Sequence, residues 1–162
     1  MKIASIVENL SMSQNTFWMT KTFNQLYKHD IHPMCFYINL GSTGIKMNFP
    51  NMNVYYASTF SDTTKPILIS TSLKTLEVSM NLKINARRML YLWDIEWLRL
   101  TMSSLFNYNK NVDLLRNKNI ELIARSSSHA NVISNYCNRE VDFIIDDWNI
   151  QDIRGLYEQR TK

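Results

Sequence analysis

Short apolar runs alternate along this chain with longer stretches in which apolar residues return every three or four positions, the periodicities of buried strands and of helices packed on one side. The runs predict strands over Lys2–Val7, Ile31–Ile38, Asn53–Ala57 and Pro66–Ile69, then over Met89–Trp93, Asn119–Ala124 and Val141–Ile145. Between the first two, Asn15 or Thr16 is placed to cap a helix running to about His29, with Met19, Phe23, Leu26 and Tyr27 on one side. Ser70-Thr71-Ser72 opens a second helix through Leu73, Leu76, Met80 and Ile84, and Ser126-Ser127-Ser128 opens another with Ala130, Ile133 and Cys137 on its apolar side. Ile95–Leu115 predicts helix in two pieces, broken near Asn107–Asn111, while Leu40–Pro50, with Gly41 and Gly44, reads as a loop. Strands alternating with helices in this way define an α/β fold: a mostly parallel sheet of about six or seven strands with helices on both faces.

The 162 residues, 45% hydrophobic and 20% charged, are enough to close one core and too few for two. One domain is therefore expected over residues 1–150, with 151–162 as a terminal helix or a stub of linker. No uninterrupted apolar segment reaches the ~18 residues of a membrane span, and the opening M-K-I-A-S-I-V-E runs into an acid instead of a cleavable apolar stretch. These features point to a cytoplasmic protein. Cys35 and Cys137, far apart and without C-x-x-C spacing, read as reduced, buried thiols. The net charge of +4 is unevenly spread: residues 1–139 hold 15 Lys/Arg against 8 Asp/Glu, and residues 140–162 hold 3 against 6. Such a basic body suits a polyanionic partner such as DNA, with Arg87, Arg88, Arg99 and Arg125 as the first residues to engage it, although scattered lysines on a solvated surface give the same count.

The candidate chemistry gathers around Arg87–Leu98. The apolar run Met89–Trp93 stops at Asp94, which places a carboxylate at a strand tip, on the side where open α/β sheets bind ligands. Two readings of Asp94 stand side by side: N-cap of the helix predicted for Ile95–Phe106, or an acid that acts on a substrate. Trp93 and Trp97 flank it, and aromatic faces beside a carboxylate suit a sugar or base pocket as well as the rim of a core. Ser126 opens a helix directly after a strand, and His129 lies in that helix's first turn, so both are candidate ligand contacts, with capping the simpler role for the serine. The first strand-to-helix loop contains no glycine, which removes the dinucleotide fingerprint, and neither a G-K-[ST] phosphate loop nor a G-x-S-x-G elbow occurs. No cofactor motif is present. His29 and His32 flank a turn without the further ligands a metal would need, so no metal site is expected.

Three stretches carry a family resemblance: M-K-I-A followed by a helix, the acid-terminated strand M-L-Y-L-W-D-I, and N-I-E-L-I-A-R-S-S-S-H-A-N-V-I-S leading into V-D-F-I-I-D-D-W-N-I. Together they resemble the N-terminal, Rossmann-like half of a GT-B glycosyltransferase, and Y-L-W-D-I is similar to the corresponding stretch of bacteriophage DNA glucosyltransferases. The resemblance implies that Asp94 is the general base and that this domain receives the acceptor, the nucleotide-sugar being held by a second, C-terminal domain. It also implies the host cytoplasm if the source is viral. The chain ends where that second domain is expected to begin, so the resemblance implies a split or truncated enzyme, inactive without a separate donor-binding chain, or a homo-oligomer. The competing expectation is a non-catalytic α/β interaction protein, or a nucleic-acid-binding accessory protein using the basic body.

Overall fold

The computed structural model describes residues 2–11, 13–39, 52–59, 65–95 and 105–159. Seven strands form one all-parallel sheet: β1 (Ile3–Asn9), β2 (Met34–Asn39), β3 (Asn53–Tyr56), β4 (Ile67–Ser70), β5 (Arg87–Leu92), β6 (Ile120–Ala124) and β7 (Phe143–Ile144). The helices are α1 (Gln14–Tyr27), α2 (Leu73–Asn81), α3 (Leu105–Arg116), α4 (Ser127–Cys137) and α5 (Ile150–Glu158). Strand order is β3-β2-β1-β4-β5-β6-β7, so the chain winds outward in one direction, returns to the middle, and winds outward in the other. The reversal between β1 and β4 is the topological switch point of a Rossmann-like fold.

Helices cover both faces, which is why the central strands are apolar on both sides. Ile3, Val7, Ile67, Ile69, Met89, Tyr91 and Ile123 face a core shared with Met19, Phe23 and Leu26 of α1 and with Ile153 and Leu156 of α5. On the other face, Leu90, Leu92, Leu122 and Ala124 meet Leu73 and Leu76 of α2, Leu115 of α3, and Ala130, Ile133 and Cys137 of α4. Each fully buried Leu, Ile, Met or Phe among them contributes about 1.5–3 kcal/mol relative to exposure. Helix α5 is thus part of the same core.

Three local expectations are corrected. The cap of α1 is Ser13, whose Oγ accepts the Thr16 N–H at 3.1 Å, because the Asn15 carbonyl is taken by the Trp148 indole N–H at 2.7 Å. Helix α3 runs unbroken through Asn107–Asn111, since each asparagine costs a helix only about 0.7 kcal/mol while Val112 and Leu115 are buried. Helix α2 ends at Asn81, so Ile84 lies beyond it, and its inward positions are Leu73, Thr75, Leu76 and Ser79, with Met80 exposed. Its cap is reciprocal: Ser72 Oγ accepts from Thr75 N–H, and Thr75 Oγ1 accepts from Ser72 N–H at 2.9 Å.

Candidate functional site at the carboxyl edge of the sheet

At the end of β5 the Trp93 N–H turns back to the Tyr91 carbonyl at 3.1 Å, which stops the strand at the sheet edge. Asp94 comes next, half-buried, with Oδ1 accepting the N–H of its own neighbour Ile95 at 2.9 Å. Ile95 is not helical, and the remainder of the helix expected over Ile95–Phe106, with Trp97 and Arg99, lies outside the described residues apart from the start of α3.

The pairing of Leu92 with Ala124 sets Trp93 level with Arg125 just beyond the strands. The Arg125 guanidinium lies over the Trp93 ring, 4.1 Å from its centroid, and Arg125 Nε donates to Asp147 Oδ1 at 3.1 Å. Beneath this layer Tyr91 packs against Trp148 with ring centroids 4.5 Å apart. The Tyr91 hydroxyl donates to the Ile145 carbonyl at 2.8 Å and accepts the Trp148 N–H at 3.3 Å. Burial pushes the Tyr91 phenol well above its ordinary value and the Asp147 charge adds to this, so it stays a neutral donor.

Asp147 and Trp148 both adopt left-handed backbone, with φ of 41° and 57°. Each costs about 1–2 kcal/mol for a residue with a Cβ. The conformation turns the Trp148 indole into the core, where it is fully buried and edge-on to Phe23, and leaves the Asp147 carboxylate at the surface for Arg125. The arginine is therefore positioned on an aromatic wall that is itself anchored through the core.

Ser126 caps α4, its Oγ accepting the His129 N–H at 3.3 Å. His129 is half-buried, and its Nδ1 is shut away from solvent without a hydrogen-bond partner among the described residues. Trp93, Asp94, Arg125, Ser126 and His129 thus belong to one edge of the sheet. Arg87 and Arg88 do not. They begin β5, at the opposite edge, where Arg87 forks onto Glu121 through Nε at 2.7 Å and Nη2 at 2.5 Å. Arg88 donates to the carbonyls of Ser79, Leu82 and Ile84.

The switch point contains a residue that the sequence pattern alone did not single out. Glu8, near the end of β1, accepts a hydrogen bond from Ser72 Oγ at 2.7 Å and faces Lys74 Nζ at 3.6 Å. A carboxylate thus already occupies the start of α2, where the helix dipole favours an anion. The signal was present in the sequence: Glu8 is an acid ending an apolar run, the same pattern that drew attention to Asp94.

Among the described residues no group of three or more His, Cys, Asp or Glu side chains is arranged to hold a metal ion. None of the described helices is long and apolar enough to cross a membrane. No protein-family model matches the chain, and no curated protein matches it.

Proposed function

We propose that this chain is the acceptor-side domain of a GT-B-type glycosyltransferase and that a polyhydroxyl acceptor binds at the carboxyl edge of the sheet. The observation that carries this reading is the position of Asp94, directly after Trp93, whose indole supports a cation held by Asp147. Such a wall gives a sugar the Nη donors of Arg125, held over the indole, with a carboxylate beside them. In the reaction the acceptor hydroxyl gives its proton to Asp94 as its oxygen bonds to the anomeric carbon of the donor sugar, and the bond from that carbon to the nucleotide phosphate breaks. A base so placed contributes roughly 10²- to 10⁴-fold. The pyrophosphate requires other groups, because Glu8 fills the anion position at the switch point; a separate donor-binding domain or chain supplies them in this reading.

The bond from Ile95 N–H to Asp94 favours a second reading, in which the carboxylate only ends the strand and the edge binds ligand without chemistry. Amide-resolved NMR with mono- and oligosaccharides separates binding from its absence: shifts at Trp93–Ile95 and Arg125–His129 support the acceptor site, and none at millimolar sugar removes it. With a donor-binding partner added, Asp94→Asn should lower kcat far more than it raises the acceptor KM; equal losses in both indicate the non-catalytic reading. The chain alone should not turn over UDP-, GDP- or CMP-sugars, and transfer by it alone would refute the split-enzyme reading.

A further inference from the structure

The amino edge of the sheet, where the strands begin, collects the chain's positive charge. Lys28 precedes β2, Lys2 precedes β1, Lys65 precedes β4, Lys83 precedes β5 and Lys118 precedes β6, and all five are exposed. Strand order sets these positions side by side, β2-β1-β4-β5-β6, and backbone bonds join the middle three starts: the Ile67 N–H meets the Lys2 carbonyl and the Arg87 N–H meets the Pro66 carbonyl, each at 3.0 Å. Four arginines, Arg87, Arg88, Arg116 and Arg139, share this edge, against four acids, Asp30, Glu121, Glu140 and Asp142, and the Arg154–Glu158 pair at the end of α5 adds no net charge. Among the described residues the edge thus has five positive charges in excess.

Helix dipoles explain the arginines but not the lysines. Helices α1 to α5 all end at this edge, α5 meeting Arg87 through its Leu156 carbonyl, and each contributes about half a negative charge, so about −2.5 in total. The arginines answer that charge directly. Arg88 binds the carbonyls at the end of α2, Arg116 donates to the Cys137 carbonyl that ends α4, and Arg139 donates to Leu115 and Asn117 at the end of α3. Lys28, Lys83 and Lys118 make no ion pair among the described residues. The row from β2 to β6 crosses five neighbouring strands, about 20 Å, which is the rise of about six base pairs.

We propose that this edge is a nucleic-acid docking surface that holds the phosphate backbone without reading its sequence. A membrane surface fits less well, because among the described residues only Tyr27 and Met80 of the exposed large apolar side chains lie near this edge, too few to anchor a bilayer contact. Asp94 and Arg125 stand at the far ends of β5 and β6, roughly 20 Å away along the strands, so nucleic acid docked here is a tether and not the group acted on at the carboxyl edge. The inference does not depend on the transferase reading.

Fluorescence anisotropy with a labelled duplex DNA and the full chain tests it. With about four phosphates engaged, binding should weaken about 10²-fold between 50 and 200 mM salt. Lys28→Ala/Lys83→Ala/Lys118→Ala should remove about three of the counted phosphates from the salt slope, while Arg125→Ala leaves it unchanged. The three lysines are exposed, and an unaltered circular dichroism melt confirms that the variant is folded. No binding at 50 mM salt, a slope unchanged by the triple substitution, or loss through Arg125→Ala would overturn the proposal. So would capture by phosphatidylserine vesicles with no binding to the duplex.

Discussion

Arginine is used in two different ways at the two ends of neighbouring strands. At the amino edge Arg87 is locked: its side chain is 12% exposed, both oxygens of Glu121 are engaged, and Arg88 beside it is spent on carbonyls at the end of α2. At the carboxyl edge Arg125 is 33% exposed, makes one hydrogen bond to Asp147 and rests on the Trp93 ring, and its Nη groups have no partner among the described residues. The difference teaches which cations hold the fold together and which are available to a ligand, a distinction that residue type and charge count do not contain. In the docking surface proposed above the lysines face the nucleic acid, because arginine's fork is well suited to carbonyls and carboxylates within the fold.

The largest expected effect tests the platform under Arg125. Trp148→Ala removes a fully buried indole packed against Tyr91 and Phe23, while the left-handed backbone there keeps only its hydrogen bonds to Tyr91 and Thr22. Urea unfolding should show a loss of about 3–5 kcal/mol. A loss below about 1 kcal/mol would mean that the carboxyl edge is not anchored through the core.

Arg87→Ala comes next, leaving Glu121 partly buried without its partner, and should cost about 1–3 kcal/mol by the same measurement. An effect no larger than that of Arg125→Ala would erase the contrast between the two edges.

Alkaline titration sharpens the comparison, because a dry ionisable group lies near each edge. Burial pushes the Cys35 thiol, near the start of β2, up to about 12, and pushes the Tyr91 phenol, near the end of β5, up as well. A raised folded-state value favours the neutral form, so the stabilisation is complete below the ordinary value. It is lost as rising pH ionises the unfolded chain, from pH 9.0 upward for the thiol and 10.0 for the phenol. Cys35→Ala should flatten the fall of unfolding free energy between pH 9 and about 12 by at most about 1.4 kcal/mol per pH unit, and Tyr91→Phe should flatten it only above pH 10. Parallel curves for wild type and both variants would show that these groups are hydrated.

The smallest effect belongs to Arg125→Ala, expected to cost about 0.5–1 kcal/mol for a part-exposed pair and one cation–π contact. Its value lies in pairing a near-neutral stability change with loss of the sugar-induced NMR shifts at Trp93–Ile95. A large destabilisation would make it a framework residue like Arg87.

Much of the architecture was legible in the sequence. Strands β1 to β7 fall inside or within two residues of the predicted runs, and Ala130, Ile133 and Cys137 are the buried positions of α4, because burial repeats with the local geometry of strand and helix. The capping hydroxyls Ser72 and Ser126 were readable for the same reason, since a cap acts over three residues. Trp148 was not: two acids precede it, a surface signal, and only the left-handed turn at Asp147 directs its ring inward.

By itself, then, the sequence determined the periodic elements, their order along the chain, the α/β class and the strand-tip position of Asp94, all consequences of interactions between near neighbours. Tertiary structure alone decided the strand order with its reversal between β1 and β4, the meeting of Glu8 with Ser72 and of Arg125 with Asp147, the locking of Arg87 onto Glu121, and the gathering of the lysines on one edge. Those features join residues 22 to 64 positions apart. Their partners are chosen by where parallel strands come to rest beside one another, and no local periodicity encodes that choice.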